Sequence, residues 1–151
     1  LTAERTTNMA YRDMHNNVDI IRVIPPVAVG TTGTGQTGSV IDTRGYDSVE
    51  FDIAYGAITA TGAVFSVTVL EGDATGSLTS VADADLLGTE AAAGLAAAAR
   101  VDNSTENVTK RIGYRGGSRY VRVDVSSTAT AGTPVAVNAI LGRPHRAAVA
   151  T

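Results

Sequence analysis

The chain reads as an all-β domain, a two-sheet β-sandwich or jelly-roll-like barrel with at most one short helix and extended terminal arms. Three observations predict this. First, the stretch Ile112 to Val125 opens on a turn signal, Arg115-Gly-Gly-Ser118. It then alternates strictly, with Tyr120, Arg122 and Asp124 on one face and Val121, Val123 and Val125 on the other. Period-two alternation marks a strand with one buried face, and β-branched valines suit a packed sheet surface. Second, similar short runs recur along the chain between Gly- and Thr-rich turns. Third, an alanine-rich segment, Thr89 to Arg100, is the only plausible helix. A chain of 151 residues fits one domain with a real core. It contains no Cys, so the fold stands on packing and hydrogen bonds, without disulfides or thiolate metal sites.

In chain order, residues 1–17 are polar and unpatterned and read as an extended arm, ordered when something holds it. Tyr11, Arg12, Met14 and His15 are its candidate contact residues, and no apolar leader is expected in it. Val18 to Ile24 is a first strand, which Pro25 and Pro26 are expected to stop because neither can donate to a ladder; Val27 to Val29 can resume pairing. Gly30 to Gly38 is a loop. Its glycines do not make a phosphate cradle, since a strand follows them and no Lys-Ser or Lys-Thr pair is present. Ser39 to Asp42 is a short strand, Thr43 to Asp47 a turn, and Ser48 to Gly56 a strong strand with Val49, Phe51, Ile53 and Tyr55 on one face. After a loop, Ala63 to Glu71 is a strand with Phe65, Val67 and Val69 on one face. The two runs look like a hairpin or meander with a longer loop, with Phe51 and Phe65 as core anchors.

Gly72 to Ser77 reads as a turn, and Leu78 to Leu87 mixes short apolar runs with Asp83 and Asp85. In Thr89 to Arg100 alanine favours helix, while Gly94 costs about 1 kcal/mol there; helix and small-residue excursion are both open. Val108 to Tyr114 is expected to pair with the alternating stretch that follows it. Pro134 to Gly142 is the last strand, with Val135, Val137, Ala139 and Leu141 on one face, and 143–151 is a second tail. The domain proper is therefore 18–142.

Charge is unevenly spread. Residues 42–106 hold eleven acids against Arg44 and Arg100, and residues 107–151 hold seven bases against Asp124 alone. Either the two signs pair across the sheets, or they form opposed faces that complement neighbours in an assembly. Arg115, Arg119 and Arg122 make a candidate basic contact face, although Arg119 and Arg122 fall on opposite sides of an ideal strand. The net charge of -3 and the scarcity of aromatic residues speak against a nucleic-acid partner. No apolar run approaches a membrane span.

Catalytic chemistry finds little support. His15 and His145 both fall in the tails, where no rigid element would hold them for a triad or a metal. Asp83, Asp85 and Glu90, or Glu71 and Asp73, offer oxygen ligands but lack the spacing of a calcium loop. Folding is expected to need no metal and no cofactor. The shortage of aromatic and large apolar residues also fits a structural β-protein better than a pocket enzyme or a sugar-stacking site.

Four phrases carry a resemblance: Ile41-Asp-Thr-Arg-Gly-Tyr-Asp-Ser-Val-Glu-Phe51, Leu70-Glu-Gly-Asp73, Ala82-Asp-Ala-Asp-Leu-Leu-Gly-Thr-Glu90 and Ile112-Gly-Tyr-Arg-Gly-Gly-Ser-Arg-Tyr-Val-Arg-Val123. From about Tyr11 to Arg143 the chain resembles a group of small tailed-bacteriophage proteins of the head-gene region. The resemblance implies a non-enzymatic virion protein, a capsid decoration or cement protein on the outer shell. Its partners would be the major capsid protein and other copies of itself. A head–tail joining or tail-associated protein is the alternative, and a secreted carbohydrate-binding module the second. The alanine-rich segment Ala91 to Ala99 lies outside the matched phrases.

Overall fold

The computed structural model describes residues 13–29 and 35–145. In chain order these form β1 (Val18–Ala28), β2 (Gln36–Thr37), β3 (Ile41–Asp42), β4 (Tyr46–Tyr55), β5 (Phe65–Ala74), β6 (Ser77–Ser80), β7 (Leu86–Leu87), a one-turn helix α1 (Glu90–Ala93), β8 (Thr109–Tyr114), β9 (Tyr120–Ser127) and β10 (Pro134–Pro144). One sheet runs β1-β10-β4-β8-β7. The other runs β2-β9-β5-β6, with β3 also on β9. All the strand pairs are antiparallel.

Counting β2 and β3 as one interrupted strand and β7 as an edge addition, the sheets run first-eighth-third-sixth and second-seventh-fourth-fifth. That is jelly-roll order, the second of the two architectures expected from the sequence. The alternating valines, phenylalanines and isoleucines point inward as read. Phe51, Ile53, Val69, Ile112, Val121, Val123 and Val137 are fully buried between the sheets. Each such side chain stabilises the fold by about 1.5–3 kcal/mol. Tyr55 and Phe65 meet edge to face across the core, centroids 5.1 Å apart at 76°. Among the described residues, the buried polar side chains are Ser127 and Thr133.

Several expectations about pairing are corrected, most of them for one reason: in a jelly roll, successive strands usually belong to different sheets. β4 and β5 are not a hairpin; β4 lies between β10 and β8, and β5 between β9 and β6. Nor does β8 pair with β9. The Arg115–Ser118 turn carries the chain from one sheet to the other. Pro25 and Pro26 do not stop β1, which runs on to Ala28. β1 is an edge strand, so one side of it needs no donor, and register shifts after Arg22 and Ile24 take up the irregularity. The shift after Arg22 leaves Val23 and Ile24, adjacent in sequence, both buried.

The expected loop at 30–38 contributes a paired segment, Gln36–Thr37, on β9. The expected turn at 72–77 narrows, because β5 continues to Ala74 and β6 starts at Ser77. The alanine-rich segment divides. Thr89 caps α1 by accepting from Ala92 N, and the helix ends at Gly94. Leu95 then bridges to Phe65. The C-terminal tail starts later than expected, since β10 runs to Pro144. Of the expected arm, residues 13–17 form a turn, with Asn17 N and Val18 N both donating to Met14 O at 3.0 Å, and the rest lies outside the described residues.

Candidate docking surface

Antiparallel register sorts the connections to the two ends of the sandwich. Val18 pairs with Gly142, Tyr46 with Pro144, Val49 with Tyr114, and Gly72 and Asp42 with Tyr120. One end therefore gathers the Asp13–Asn17 turn, the 43–45 turn, the 75–76 turn, the 115–119 crossover and residues 143–145. Both ends of the described chain leave from here. Of the candidate contact residues, Tyr11 and Arg12 lie outside the described residues. Met14 is 66% exposed and His15 is exposed at the turn. Asp13 builds that turn: its carboxylate accepts from Asn16 N at 3.1 Å and Asn16 Nδ2 at 2.7 Å. These hydrogen bonds, the side-chain one first, hold the Asp13 carboxyl below its usual range.

The candidate basic residues Arg115, Arg119 and Arg122 each engage a different partner. Arg115 sits on the crossover, its Nε donating to Ala84 O at 2.9 Å. Arg119 forks onto Asp42, Nε to Oδ1 at 3.0 Å and NH2 to Oδ2 at 2.8 Å, and lies 4.9 Å from the centroid of the Tyr120 ring. This hydrogen-bonded guanidinium pulls the Asp42 carboxyl down to about 2. Arg122 lies on the outer face of β9 and donates to Asp124 Oδ2 at 2.8 Å. Arg111, on β8, faces Glu50 at 3.8 Å. The Arg119–Asp42 and Arg111–Glu50 pairs join the basic C-terminal part to the acidic middle, as the cross-sheet reading of the charges expects.

Of the acids considered as metal ligands, Glu90, Glu71 and Asp73 bond to the frame. Glu90 Oε1 accepts from Val69 N at 2.7 Å, Glu71 accepts from the Tyr114 hydroxyl, and Asp73 accepts from Arg119 N at 3.2 Å. Among the described residues no group of three or more His, Asp or Glu is arranged to hold a metal, and no helix is long and apolar enough to cross a membrane. His145, read as tail, belongs to the domain edge. Its N donates to Gly45 O at 2.8 Å and its Nε2 lies 2.6 Å from Asp47 Oδ1.

The sequence reading missed the outer faces of the sheets. Around β9 and β5 the outer face carries Arg122, Asp124, Thr68 and Ser66, with Leu70 beside Arg122. On the other sheet, one rung runs Ile20, Ile140, Glu50, Gly113, Leu87. There Ile20 is 63% and Leu87 50% exposed. The signal was the doublet Ile20-Ile21: neighbours on a strand face opposite ways, so one of them had to point outward. No known family model matches the chain, and no curated protein sequence matches it either.

Proposed function

We propose that this protein is a non-enzymatic structural component of a tailed-bacteriophage head, a capsid decoration or cement protein that docks on the outer shell and ties neighbouring capsid subunits together. The resemblance of its strand and turn phrases to head-region proteins suggests the role. The observation that supports it physically is that both ends of the described residues, with Met14, His15, Arg115 and Arg119, lie at one end of the sandwich. A domain placed end-on at a subunit junction can send its terminal segments to more than one neighbour. Several modest contacts made at once raise the effective affinity well beyond any single one. Jelly rolls serve viral shells, sugar-binding modules and enzymes alike, so the fold by itself decides none of this.

The test is co-sedimentation of the purified protein with empty capsids. The full chain is expected to pellet with shells. Removing residues 1–17 is expected to abolish most of that binding while changing the stability of the free domain by less than about 1 kcal/mol, as for an exposed segment. Equal binding by the truncated chain would remove the arm from the mechanism. Failure of both forms to bind, with about a dozen copies or fewer per particle, would favour a head–tail joint.

A further inference from the structure

We infer that a niche on the free edge of β5 is a binding site for the primary carboxamide of a glutamine side chain carried by a protein partner. β9 covers one edge of β5 from Phe65 to Gly72. On the other edge, β6 pairs only from Leu70 onward. The first half of that edge is closed at two points. Phe65 exchanges hydrogen bonds with Leu95, its N donating at 2.9 Å and its O accepting at 3.1 Å. Val69 N donates to Glu90 Oε1 at 2.7 Å, and Val69 O accepts from Val81 N at 3.0 Å. Backbone groups of a strand alternate between its two edges. Val67, midway between these points, therefore turns its N–H and C=O to the same edge. Opposite it the chain coils into α1 instead of pairing, and neither group has a partner among the described residues. Buried backbone groups are nearly always paired, and leaving one unpaired is costly.

The side chain of Val67 is in the core, so what it offers outward is backbone. It forms the floor of a groove of about 360 Å³, walled by Ser66, Glu90, Ala91, Leu95 and Ala96. Leu95 and Glu90 block the edge on either side of Val67, so a long added strand does not fit. What fits is one group with a donor and an acceptor side by side, and a primary carboxamide has both on one carbon. Its oxygen accepts from Val67 N–H while one of its N–H groups donates to Val67 O. Val67 O lies on the Val69 side of its residue, so the amide nitrogen faces Glu90. Glu90 Oε2, bonded to none of the described residues, then accepts the second N–H. A carboxylate in the same place would set oxygen against Val67 O and Glu90, so the niche selects amide over acid. The methylenes of the ligand lie against Ala91, Leu95 and Ala96, and glutamine has the longer stem that a floor set behind α1 requires. Ala91 and Ala96 are exposed and leave the mouth open. Glu90 is the one charged residue lining the groove. Nothing there pairs the α-carboxylate of free glutamine, which points to a side chain borne on a protein.

The test is a nitrogen–proton NMR titration of the full chain with the peptide Ac-Gly-Gln-Gly-NHMe, which carries a single primary amide. The amide signals of Val67 and Val69 are expected to shift saturably, and exchange of the Val67 N–H to slow. Ac-Gly-Glu-Gly-NHMe and Ac-Gly-Leu-Gly-NHMe should leave those signals in place. Glu90→Gln keeps an oxygen for Val69 N but turns the second acceptor into a donor. It is expected to weaken binding by about tenfold or more, with the melting temperature unchanged. Ala96→Leu, at an exposed position, should close the mouth and abolish binding, again with an unchanged melt. The probe is a free peptide, so this outcome and that of shell binding are separately visible. No saturable shift at Val67, equal shifts with the leucine peptide, equal binding of free glutamine, or undiminished binding by Glu90→Gln would overturn the inference.

Discussion

Phe51 has no exposed surface and sits at the centre of the sheet, paired with Ala139 on one side and Ile112 on the other. Phe51→Ala should lower stability by about 3–5 kcal/mol, read as a fall in the denaturant midpoint; an unchanged midpoint would contradict its place in the core. Tyr114 acts differently. Its hydroxyl, on β8, donates to Glu71 on β5 and accepts from Ser118 N at 2.9 Å, so one side chain ties both sheets to the crossover. Burial, with Glu71 adding to it, pushes the phenol up to about 12. Its contribution is thus complete below the ordinary tyrosine range and fades as pH climbs from about 10 toward 12. Tyr114→Phe strands Ser118 N and part of Glu71, and should cost about 1–3 kcal/mol at neutral pH. Asp42 has the opposite sign: its folded-state value is depressed, so its contribution is present above the ordinary aspartate value and is lost as pH falls through about 2. Melting curves of Asp42→Asn against the parent between about pH 5 and 2 should show the parent's acid loss flattened in the variant.

At the scale of elements, the alanine-rich segment shows how packing overrides propensity. Alanines favour continued helix, yet α1 stops after one turn because Gly94 lies flat against β5, where an added Cβ would come 2.3 Å from Phe65 O. Gly94→Ala improves local propensity but should destabilise the protein by about 1–3 kcal/mol through overpacking. It should also raise hydrogen exchange at Leu95 N, which now donates to Phe65 O at 3.1 Å; a stabilised variant would refute this account. Beyond Gly94 the excursion is held by Arg100, whose guanidinium donates to Thr105 O, Ala63 O and Ala96 O. The sequence marked Gly94 as a cost to the helix and left the excursion open, but not the contacts with Phe65 and Ala63 that fix it. Period-two alternation reports which face of a strand is buried, and it did so correctly for β4, β5, β9 and β10. It carries no information about which strand lies alongside. Likewise nothing local to Arg119 marks Asp42, far off in sequence, as its partner, and the end where the described chain starts and stops became visible only once register placed distant turns together.

For the molecule as a whole, the position of β10 sets a condition on how the domain can come into being. It is the last strand among the described residues, yet it lies second in its sheet, inserted between β1 and β4. During synthesis β1 and β4 therefore emerge without the strand that will join them, and each carries an open edge until nearly the whole domain has left the ribosome. Folding has to close a loop from Val18 to Gly142. Non-local closure of this kind puts all-β domains on the order of milliseconds to seconds, with exposed strand edges vulnerable to association in the meantime. A chain ending at Thr133 should show no cooperative melt and should bind a hydrophobic dye, and a well-folded truncated product would refute this. Any nick or premature stop before β10 thus removes the seam of one sheet rather than a dispensable edge.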